Sequence, residues 1–265
     1  MNLQGLEVHH DGDLPSRAGL GSSSSFTVGI INALNALLEK SMSKEQLARA
    51  AYHLERKRLK ENVGIQDQIA TAYGGLNKVD ISCDGSFNVN PVVLNNERLT
   101  SLQDSMLLVF TGTSRISSEI AGHNIRAIPN KTAELHRMRQ MVDEGLDILN
   151  NSSDLGDFGK LLDESWKIKR SLYKKIAPDF VDDIYDKARA AGALGGKLLG
   201  AGGGGFMLFF VRPEERASVL TALNNLLVVP IKFDFSGSQI IFHDQSSYSK
   251  MALSGKMFEH HLDNG

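Results

Sequence analysis

A loop of glycines and serines that leads directly into an apolar helix is the feature that most constrains this chain. The loop is Pro15-Ser16-Arg17-Ala18-Gly19-Leu20-Gly21-Ser22-Ser23-Ser24-Ser25. Apolar residues at helical spacing follow it and predict a buried helix over residues 24–40. Glycines let a backbone approach an anion closely, and the N–H groups and positive dipole end of the next helix bind phosphate. The segment therefore predicts a phosphate-binding loop.

A serine N-cap after a flexible glycine turn is the structural alternative for this loop. One cap needs a single serine, so four serines in succession after two glycines favour the anion site. The loop is not a Walker loop, because the Gly-Lys-Ser/Thr ending is absent. A dinucleotide-binding fingerprint also fails, because the third glycine and the preceding apolar strand are missing.

Two carboxylates downstream are candidates for the chemistry of phosphoryl transfer. Glu55 lies near the apolar face of the next predicted helix, and Asp67 follows a glycine in Gly64-Ile65-Gln66-Asp67-Gln68. Phosphoryl transfer needs a metal to offset phosphate charge, and often a carboxylate near the attacking hydroxyl. Spacing alone leaves two alternatives open: Glu55 as a solvated partner of Arg58 or Lys60, and Asp67 as a helix N-cap.

A second glycine loop precedes an apolar strand late in the chain. It reads Gly200-Ala201-Gly202-Gly203-Gly204-Gly205 and is followed by apolar residues 206–211. Four consecutive glycines cost much conformational entropy on folding. Such a loop indicates a place where something approaches the backbone closely. The alternative is a tight loop that packs against a neighbouring strand.

The predicted elements form an α+β fold with a domain boundary near residue 100. Ser43 and Gln46 have capping-box spacing and predict a second helix that runs to about Lys60. We predict two domains, 1–100 and 101–265. The remaining predicted elements are a strand-like run at 6–9, a short helix from Asp67, strands at 76–81 and 87–93 joined at Gly85, a strand at 105–110, three helices, a strand at 206–211, a helix from Pro213, and a closing pair of strands at 228–235 and 239–242.

Composition excludes several functional classes. The formal net charge of −2 gives no basic footprint for nucleic acid. The lone Cys83 cannot form an intramolecular disulfide, which is typical of a reducing compartment. No run approaches the roughly 20 apolar residues of a membrane span. We expect a cytoplasmic protein without nucleic-acid or membrane partners, and we leave a homodimer open.

The order of these motifs resembles the GHMP kinase superfamily over residues 6–242. Residues 8–29 look most like the D-glycero-D-manno-heptose 7-phosphate kinases, and Phe110-Thr111-Gly112-Thr113-Ser114-Arg115 is similar to that subgroup. The resemblance implies an N-terminal domain like domain 2 of ribosomal protein S5 and a ferredoxin-like C-terminal domain. Family members carry a further segment before the phosphate loop. We therefore expect a truncated chain with a partial N-terminal domain.

The resemblance also implies cofactors, substrate and residue roles. ATP and Mg²⁺ are the implied cofactors, and a heptose 7-phosphate is the implied acceptor, phosphorylated at its anomeric hydroxyl. Ser23 and Glu55 match the metal ligands, and Asp67 matches the proposed base. Gly19 to Ser25 match the phosphate loop, and Gly200 to Gly204 match the third family motif near the substrate. A fucose, galactose or mevalonate-type kinase and a non-catalytic nucleotide or sugar binder are the alternatives.

A sugar phosphate needs a second anion site, away from the phosphate loop. Ser114 and Arg115 follow the predicted strand at 105–110, and a Gly112 turn can aim them into a cleft. Arginine suits phosphate because its planar fork donates two hydrogen bonds at once. Lys169-Arg170 and Lys174-Lys175 are alternatives, although such pairs are more typical of solvated helix charges.

Overall fold

Three helices and a two-stranded sheet form the first part of the protein. The computed structural model describes residues 6–15, 18–113, 131–151, 153–172 and 176–244. The Ser43–Gln46 capping box is present as predicted, with both reciprocal hydrogen bonds. The elements are α1 (Ser22–Leu37), α2 (Lys44–His53) with a π-helical turn continuing it (Leu54–Arg58), α3 (Gln66–Tyr73), β1 (Asn77–Ile81) and β2 (Phe87–Pro91).

The core of this first part lies between the three helices and the small sheet. Val28, Leu47, Ala51 and Ile69 are almost completely buried there, together with Phe87 from β2. The strands β1 and β2 pair antiparallel, as a hairpin predicts. The glycine in their connection, predicted as a turn, has a φ of 83°, which a residue with a side chain rarely adopts.

A four-stranded antiparallel sheet with helices on it forms the second part. The strand order is β4-β5-β3-β6. With helices between β3 and β4 and between β5 and β6, this is the ferredoxin-like arrangement. The elements are α4 (Asn96–Asp104), β3 (Met106–Phe110), α5 (Thr132–Asn150), α6 (Gly156–Leu172), α7 (Asp179–Ala190), β4 (Gly195–Leu198), β5 (Phe206–Phe210), a 3₁₀ turn (Pro213–Glu215), α8 (Arg216–Ala222) and β6 (Val228–Val229).

The core of the second part is larger and more aromatic. Trp166 from α6 and Phe209 from β5 are fully buried, and Leu107 and Val109 from β3 lie in the same cluster. Tyr185 from α7 packs its ring 6.3 Å from that of Phe209. Burying large aromatic and aliphatic side chains is the main favourable contribution to folding. The mixed α+β fold with two sheets agrees with the sequence-based prediction.

Several predictions about individual elements are wrong. The helix predicted over residues 24–40 forms as α1, but it is not buried, since Phe26 is 43% exposed. The closing pair of strands is reduced to Val228–Val229, which pairs with β3. Residues 239–242 form no strand, and Ile241 is 95% exposed. Residues 6–9 form none either. Some of these apolar residues do pack, as Phe26 does on the His10 ring at 4.9 Å, but residues 239–242 have no described strand partner. Periodicity alone does not tell which segment will cover an apolar face.

The polar segment before β3 is a helix. Asn95 caps α4 by accepting a hydrogen bond from the Arg98 amide at 2.8 Å. Leu102 is fully buried against Leu149 and Phe210. The boundary predicted near residue 100 falls inside this helix, and the division into 1–100 and 101–265 stays a prediction. In the described part of the chain, no helix has the length and apolar character needed to cross a membrane.

Candidate functional site

The phosphate loop ends at the N-terminus of α1 without a side-chain cap. Gly21 is the N-cap residue, with φ 71° and ψ 23°, and no side chain caps the helix. The predicted alternative of a serine N-cap is therefore wrong. The first-turn N–H groups of an α-helix have no intrahelical acceptor. The N-terminus of α1 thus keeps the donors and the positive dipole end that an anion needs.

A pocket of about 530 Å³ lies over this helix N-terminus. One wall is the loop from Ala18 to Ser24, and Gly64 and Asp67 continue it. The opposite wall comes from the second part of the protein. It consists of Lys169, Lys197, Leu199, Gly200 and Ala201. The pocket therefore lies where the two parts of the fold meet.

The two glycine loops contact each other across this junction. A Cβ on Gly19 would lie 2.9 Å from the carbonyl oxygen of Leu199, and one on Gly200 would lie 2.7 Å from Cα of Gly19. A Cβ on Gly205 would lie 2.3 Å from the carbonyl oxygen of Ala18. Side chains at these positions would push the loops apart. The second loop packs on the phosphate loop, and the predicted alternative of packing on a neighbouring strand does not describe this contact.

Other glycines of the second loop meet different segments. Gly202 approaches Ile176, whose carbonyl oxygen accepts a hydrogen bond from the Gly203 amide at 2.8 Å. Gly204 approaches Thr113. The amide of Phe206, at the start of β5, donates to the Ala18 carbonyl at 3.2 Å. These contacts hold the loop close to the pocket wall.

Asp67 lies directly against the phosphate loop. A Cβ on Gly21 would be 3.3 Å from Cβ and Cγ of Asp67. Ile65 is the N-cap residue of α3, so the alternative role of Asp67 as an N-cap is wrong. Although Asp67 is open to the pocket, the surrounding walls remove water from its carboxylate. This desolvation, and then the negative charge of Glu55, raise the pKa of Asp67 above its ordinary value.

Glu55 is a buried carboxylate held by three side chains. It lies in the π-helical turn and is 2% exposed. It accepts hydrogen bonds from Ser24 Oγ at 3.0 Å, from Thr27 Oγ1 at 3.2 Å, and from Gln68 Nε2. The predicted alternative of a solvated partner for Arg58 or Lys60 is wrong. No described cation lies within ion-pair distance of Glu55, and the described contacts of its carboxylate are hydrogen bonds.

The structure brings Glu55 to Ser24 and leaves Ser23 at the pocket surface. Ser23 is exposed and lines the pocket. Its carbonyl oxygen lies 2.9 Å from Thr27 Oγ1, so the single hydroxyl proton of Thr27 is shared between this carbonyl and Glu55. The predicted pairing of Ser23 with Glu55 at a metal is not visible as a direct contact. Sequence reasoning missed Ser24 and Thr27 as partners of Glu55. Their spacing of three residues, which places two hydroxyls on one helix face, is the signal that could have found them.

The donor atoms around Glu55 fit Mg²⁺ by their chemistry. Mg²⁺ binds oxygen ligands and usually keeps waters or substrate phosphates in its shell. The pocket wall offers the Asp67 carboxylate and the serine hydroxyls. The buried Glu55 carboxylate lies behind the wall, in contact with Ser24, and all of these groups supply oxygen ligands. No cluster of three or more His, Cys, Asp or Glu side chains occurs among the residues described. A bound Mg²⁺ would therefore depend on phosphate oxygens for much of its coordination.

Some predicted site residues fall outside the described ranges. These are Arg17 in the phosphate loop, Ser114 and Arg115 at the predicted second anion site, and the alternative pair Lys174-Lys175. The other alternative pair is described and divides in two. Arg170 forms an ion pair with Asp182 at 2.9 Å, whereas Lys169 lines the pocket. Pro15 is described and exposed at the start of the loop.

Comparison with known families and proteins covers both parts of the fold. Residues 1–75 match the GHMP kinases N terminal domain, and residues 147–228 match GHMP kinases C terminal. The D-glycero-alpha-D-manno-heptose 7-phosphate kinase of Campylobacter jejuni is 32% identical over 220 residues, 82% of this chain and 65% of that protein. The mevalonate kinase of Thermococcus onnurineus is 28% identical over 230 residues, 84% of this chain and 64% of that protein.

Solved structures show the same fold. A D-glycero-D-manno-heptose 1-phosphate kinase from Bacteroides thetaiotaomicron superposes with a TM-score of 0.63 at 30% identity, covering 87% of this chain and 66% of the other. The mevalonate kinase of Methanococcus jannaschii gives 0.64 at 25% identity, covering 83% and 65%. The chain spans just under two thirds of the length of the heptose 7-phosphate kinase and mevalonate kinase relatives it matches in sequence.

Proposed function

Because this chain belongs to the GHMP kinase family, we propose that it transfers the γ-phosphoryl group of ATP to a sugar phosphate. The proposed acceptor is the anomeric hydroxyl of D-glycero-D-manno-heptose 7-phosphate, and the product is the 1,7-bisphosphate. One observation carries the reaction type: Asp67 lies against Gly21, so a carboxylate with a raised pKa borders the phosphate loop. The relatives named for heptose phosphates support the choice of sugar.

The loop residues would bind and orient the nucleotide phosphates. The N-terminus of α1 offers first-turn amides, and the close packing of Gly19 on Gly200 fixes the loop before any ligand enters. Donors that are already in place stabilise developing charge without reorganisation at the moment of reaction. Mg²⁺, when bound, offsets phosphate charge. Glu55 would hold it with the hydroxyl of Ser23, and Ser24 orients the Glu55 carboxylate.

Asp67 would accept the proton of the attacking hydroxyl at a carboxylate oxygen. A general base works best when its pKa is close to the operating pH, because it is then both ionised and basic. Desolvation and the charge of Glu55 move the pKa of Asp67 in that direction. The position of Asp67 beside Gly21 places this base next to the loop that holds the phosphates.

A second acceptor class is supported by the relatives themselves. Proteins named as mevalonate kinases and as a bifunctional fucokinase/GDP-fucose pyrophosphorylase match more than four fifths of this chain at 26–28% identity. Their acceptors would need the same loop, metal and base. Only the part of the pocket that contacts the acceptor would differ. A cytoplasmic location and a homodimer remain predictions.

The test is an ADP-release assay with a panel of acceptors. The panel contains heptose 7-phosphate, the unphosphorylated heptose, galactose, L-fucose and mevalonate. We expect the highest kcat/KM with heptose 7-phosphate, and the Asp67→Asn variant serves as the blank. Equal turnover of the unphosphorylated sugars would remove the heptose phosphate assignment. Binding of ATP without turnover of any acceptor would point to a non-catalytic nucleotide binder.

A further inference from the structure

Two lysines from the second part of the protein line the pocket together with the phosphate loop. Lys169 comes from α6, and Lys197 comes from β4. Both line the pocket that Gly19, Gly21 and Asp67 also line. Neither lysine is among the residues assigned above to nucleotide binding, metal binding or general-base catalysis. We call Lys169 and Lys197 the lysine pair.

Lys169 is held in place by backbone carbonyls. Its Nζ donates to the carbonyl oxygen of Gly200 at 2.7 Å and to that of Leu198 at 3.1 Å. A lysine ammonium has three donors, so one N–H remains beyond these two bonds. Gly200 in turn contacts Gly19 of the phosphate loop. The ammonium group is therefore positioned beside the loop and retains donor capacity.

The neighbouring charges on α6 behave differently. Lys167 pairs with Asp163 at 2.8 Å, and Arg170 pairs with Asp182 at 2.9 Å. Within the described ranges, no carboxylate lies within ion-pair distance of either member of the lysine pair. Buried or half-buried cations are normally paired, because removing them from water without an opposite charge costs free energy. Lys169 has two carbonyl acceptors and lies 6.0 Å from the centre of the Trp166 ring, but it has no carboxylate partner. Two cations without a carboxylate partner at one pocket indicate a place for an anion.

The pKa shifts of both lysines agree with a site for an anion. Burial, and then the positive charge of Lys197, lower the pKa of Lys169 to about 7. Burial also lowers the pKa of Lys197. A phosphate group between them would oppose both effects, because a nearby negative charge favours the ammonium form.

We propose that the lysine pair binds the phosphate group carried by the acceptor sugar. This inference rests on the proposed function and deepens it, because it assigns the part of the pocket that distinguishes a phosphorylated acceptor from a free one. The N-terminus of α1 already supplies donors for the nucleotide phosphates. Asp67 lines the same pocket as the lysine pair. An acceptor hydroxyl that reaches Asp67 enters this pocket, and the lysine pair supplies the positive charge that a phosphate on that acceptor needs.

Calorimetric binding experiments on the whole chain test this site without requiring turnover. The probes are heptose 7-phosphate alone, inorganic phosphate alone, and a non-hydrolysable ATP analogue with Mg²⁺. The variants are Lys169→Met and Lys197→Met, which keep side-chain length and remove the charge. Lys160→Met is the matched control, because Lys160 lies on the same helix, is exposed, and pairs with Asp157 away from the pocket.

We expect each lysine-pair variant to weaken heptose 7-phosphate binding about 10- to 100-fold, from the loss of a charge-assisted hydrogen bond. The affinity for inorganic phosphate should fall in parallel, whereas the affinity for the ATP analogue should stay unchanged. The Lys160→Met control should bind all three probes as the wild type does. Lys169→Met also removes two bonds to the glycine loop, so its folding is checked by thermal melting. Lys197, with no described hydrogen bond from its Nζ, provides the variant without that complication.

The outcomes separate this inference from the proposed function. Loss of ATP-analogue affinity alone would assign the lysine pair to the nucleotide and overturn the inference. Unchanged binding of every probe would mean that Lys169 only stabilises the glycine loop. That result would also overturn the inference. Lysine-dependent binding of heptose 7-phosphate without turnover would sustain the site and reject the proposed reaction. Turnover of heptose 7-phosphate with a KM that neither lysine substitution changes would reject the site and sustain the proposed reaction.

Discussion

Helices α1 and α7 show how differently the two parts of the molecule use their buried faces. In α1 only Ser24, Thr27 and Val28 are buried, although its apolar stripe continues to Leu37. The more polar α7 buries Val181, Ile184, Tyr185 and Ala188. The buried residues of α1 are mostly hydroxyls that contact Glu55, whereas those of α7 are mostly apolar and belong to the main core.

The difference follows from what lies beside each helix. α7 belongs to the cluster that packs on the four-stranded sheet, which offers a broad apolar face. α1 packs on α2, α3 and the π-helical turn, where the carboxylate of Glu55 lies. The first part of the fold thus buries polar groups of the site beside its own small apolar core, whereas α7 in the second part packs into a larger apolar core. Groups placed for chemistry often cost stability, while core groups contribute it.

The largest effect should come from removing the proposed base in the first part. We expect Asp67→Asn to lower turnover by about 10²- to 10⁴-fold, the usual contribution of a general base. Binding of ATP should be nearly unchanged, because the carboxylate is assigned to the acceptor hydroxyl. Steady-state kinetics and calorimetry measure the two effects. Asp80→Asn, an exposed carboxylate on β1, is the control. Unchanged turnover in Asp67→Asn would show that Asp67 is not the general base and that the polar groups of the first part that serve chemistry do not include it.

The same leucine substitution should have unequal effects on stability in the two parts. Leu107 is 1% exposed in the core of the second part, whereas Leu34 in α1 is only half-buried. We expect Leu107→Ala to lower the free energy of unfolding by about 2–5 kcal/mol, and Leu34→Ala by clearly less than that. Urea denaturation of both variants measures the difference. Equal losses would mean that α1 is covered in solution.

A metal-dependence experiment sharpens the account of the polar site. Ser23→Ala and Glu55→Gln should each raise the Mg²⁺ concentration needed for half-maximal activity by about 10- to 100-fold. The double variant should be non-additive, because both residues are assigned to one ion. Ser24→Ala is the comparison, since Ser24 contacts Glu55 directly. If the double-mutant cycle gives a larger interaction energy for Ser24 and Glu55 than for Ser23 and Glu55, then Ser24 rather than Ser23 is the serine ligand of Mg²⁺.

The smallest effect concerns the titration of Asp67. Glu55→Gln should lower the pKa of Asp67, because the charge of Glu55 is the second cause of its rise. Desolvation is the larger cause and remains, so the pKa should stay above the ordinary value. Carbon-13 carboxyl shifts, followed against pH without ligands, measure the change. An unchanged pKa of Asp67 in the variant would mean that the charge of Glu55 does not act on the Asp67 carboxylate.

The raised pKa of Asp67 also has a consequence for stability. Folding favours the protonated form of this carboxyl, so its charged form is penalised in the folded state. The penalty is absent below the ordinary pKa and complete above the raised one. Stability due to Asp67 therefore falls as the pH rises through that interval. Asp67→Asn should melt at a higher temperature than the wild type at neutral pH, and this difference should vanish in acid.

Local chemistry allowed the sequence to predict a large share of this structure. The capping box at Ser43, the glycine turn between β1 and β2, and the start of α1, predicted at residue 24 and found at Ser22, depend on residues close together in the chain. Asp67 and Glu55 could also be proposed as site residues from local sequence. Asp67 stands in the motif at residues 64–68, and Glu55 lies near the apolar face of a predicted helix. The order of apolar segments also predicted most strands of the second sheet, although β4 was missed.

Contacts between distant segments were decided only by the tertiary structure. The exposed face of α1, the absence of a strand at residues 239–242, and the choice of Ser24 as the partner of Glu55 all depend on which surfaces meet. Lys169 shows this most clearly. Its sequence neighbours predict a solvated helix charge, but the packing of Gly200 on Gly19 places it beside the phosphate loop. Side-chain periodicity indicates that one face of a helix or strand can be buried. The segment that buries this face is distant in the sequence, so local sequence does not identify it.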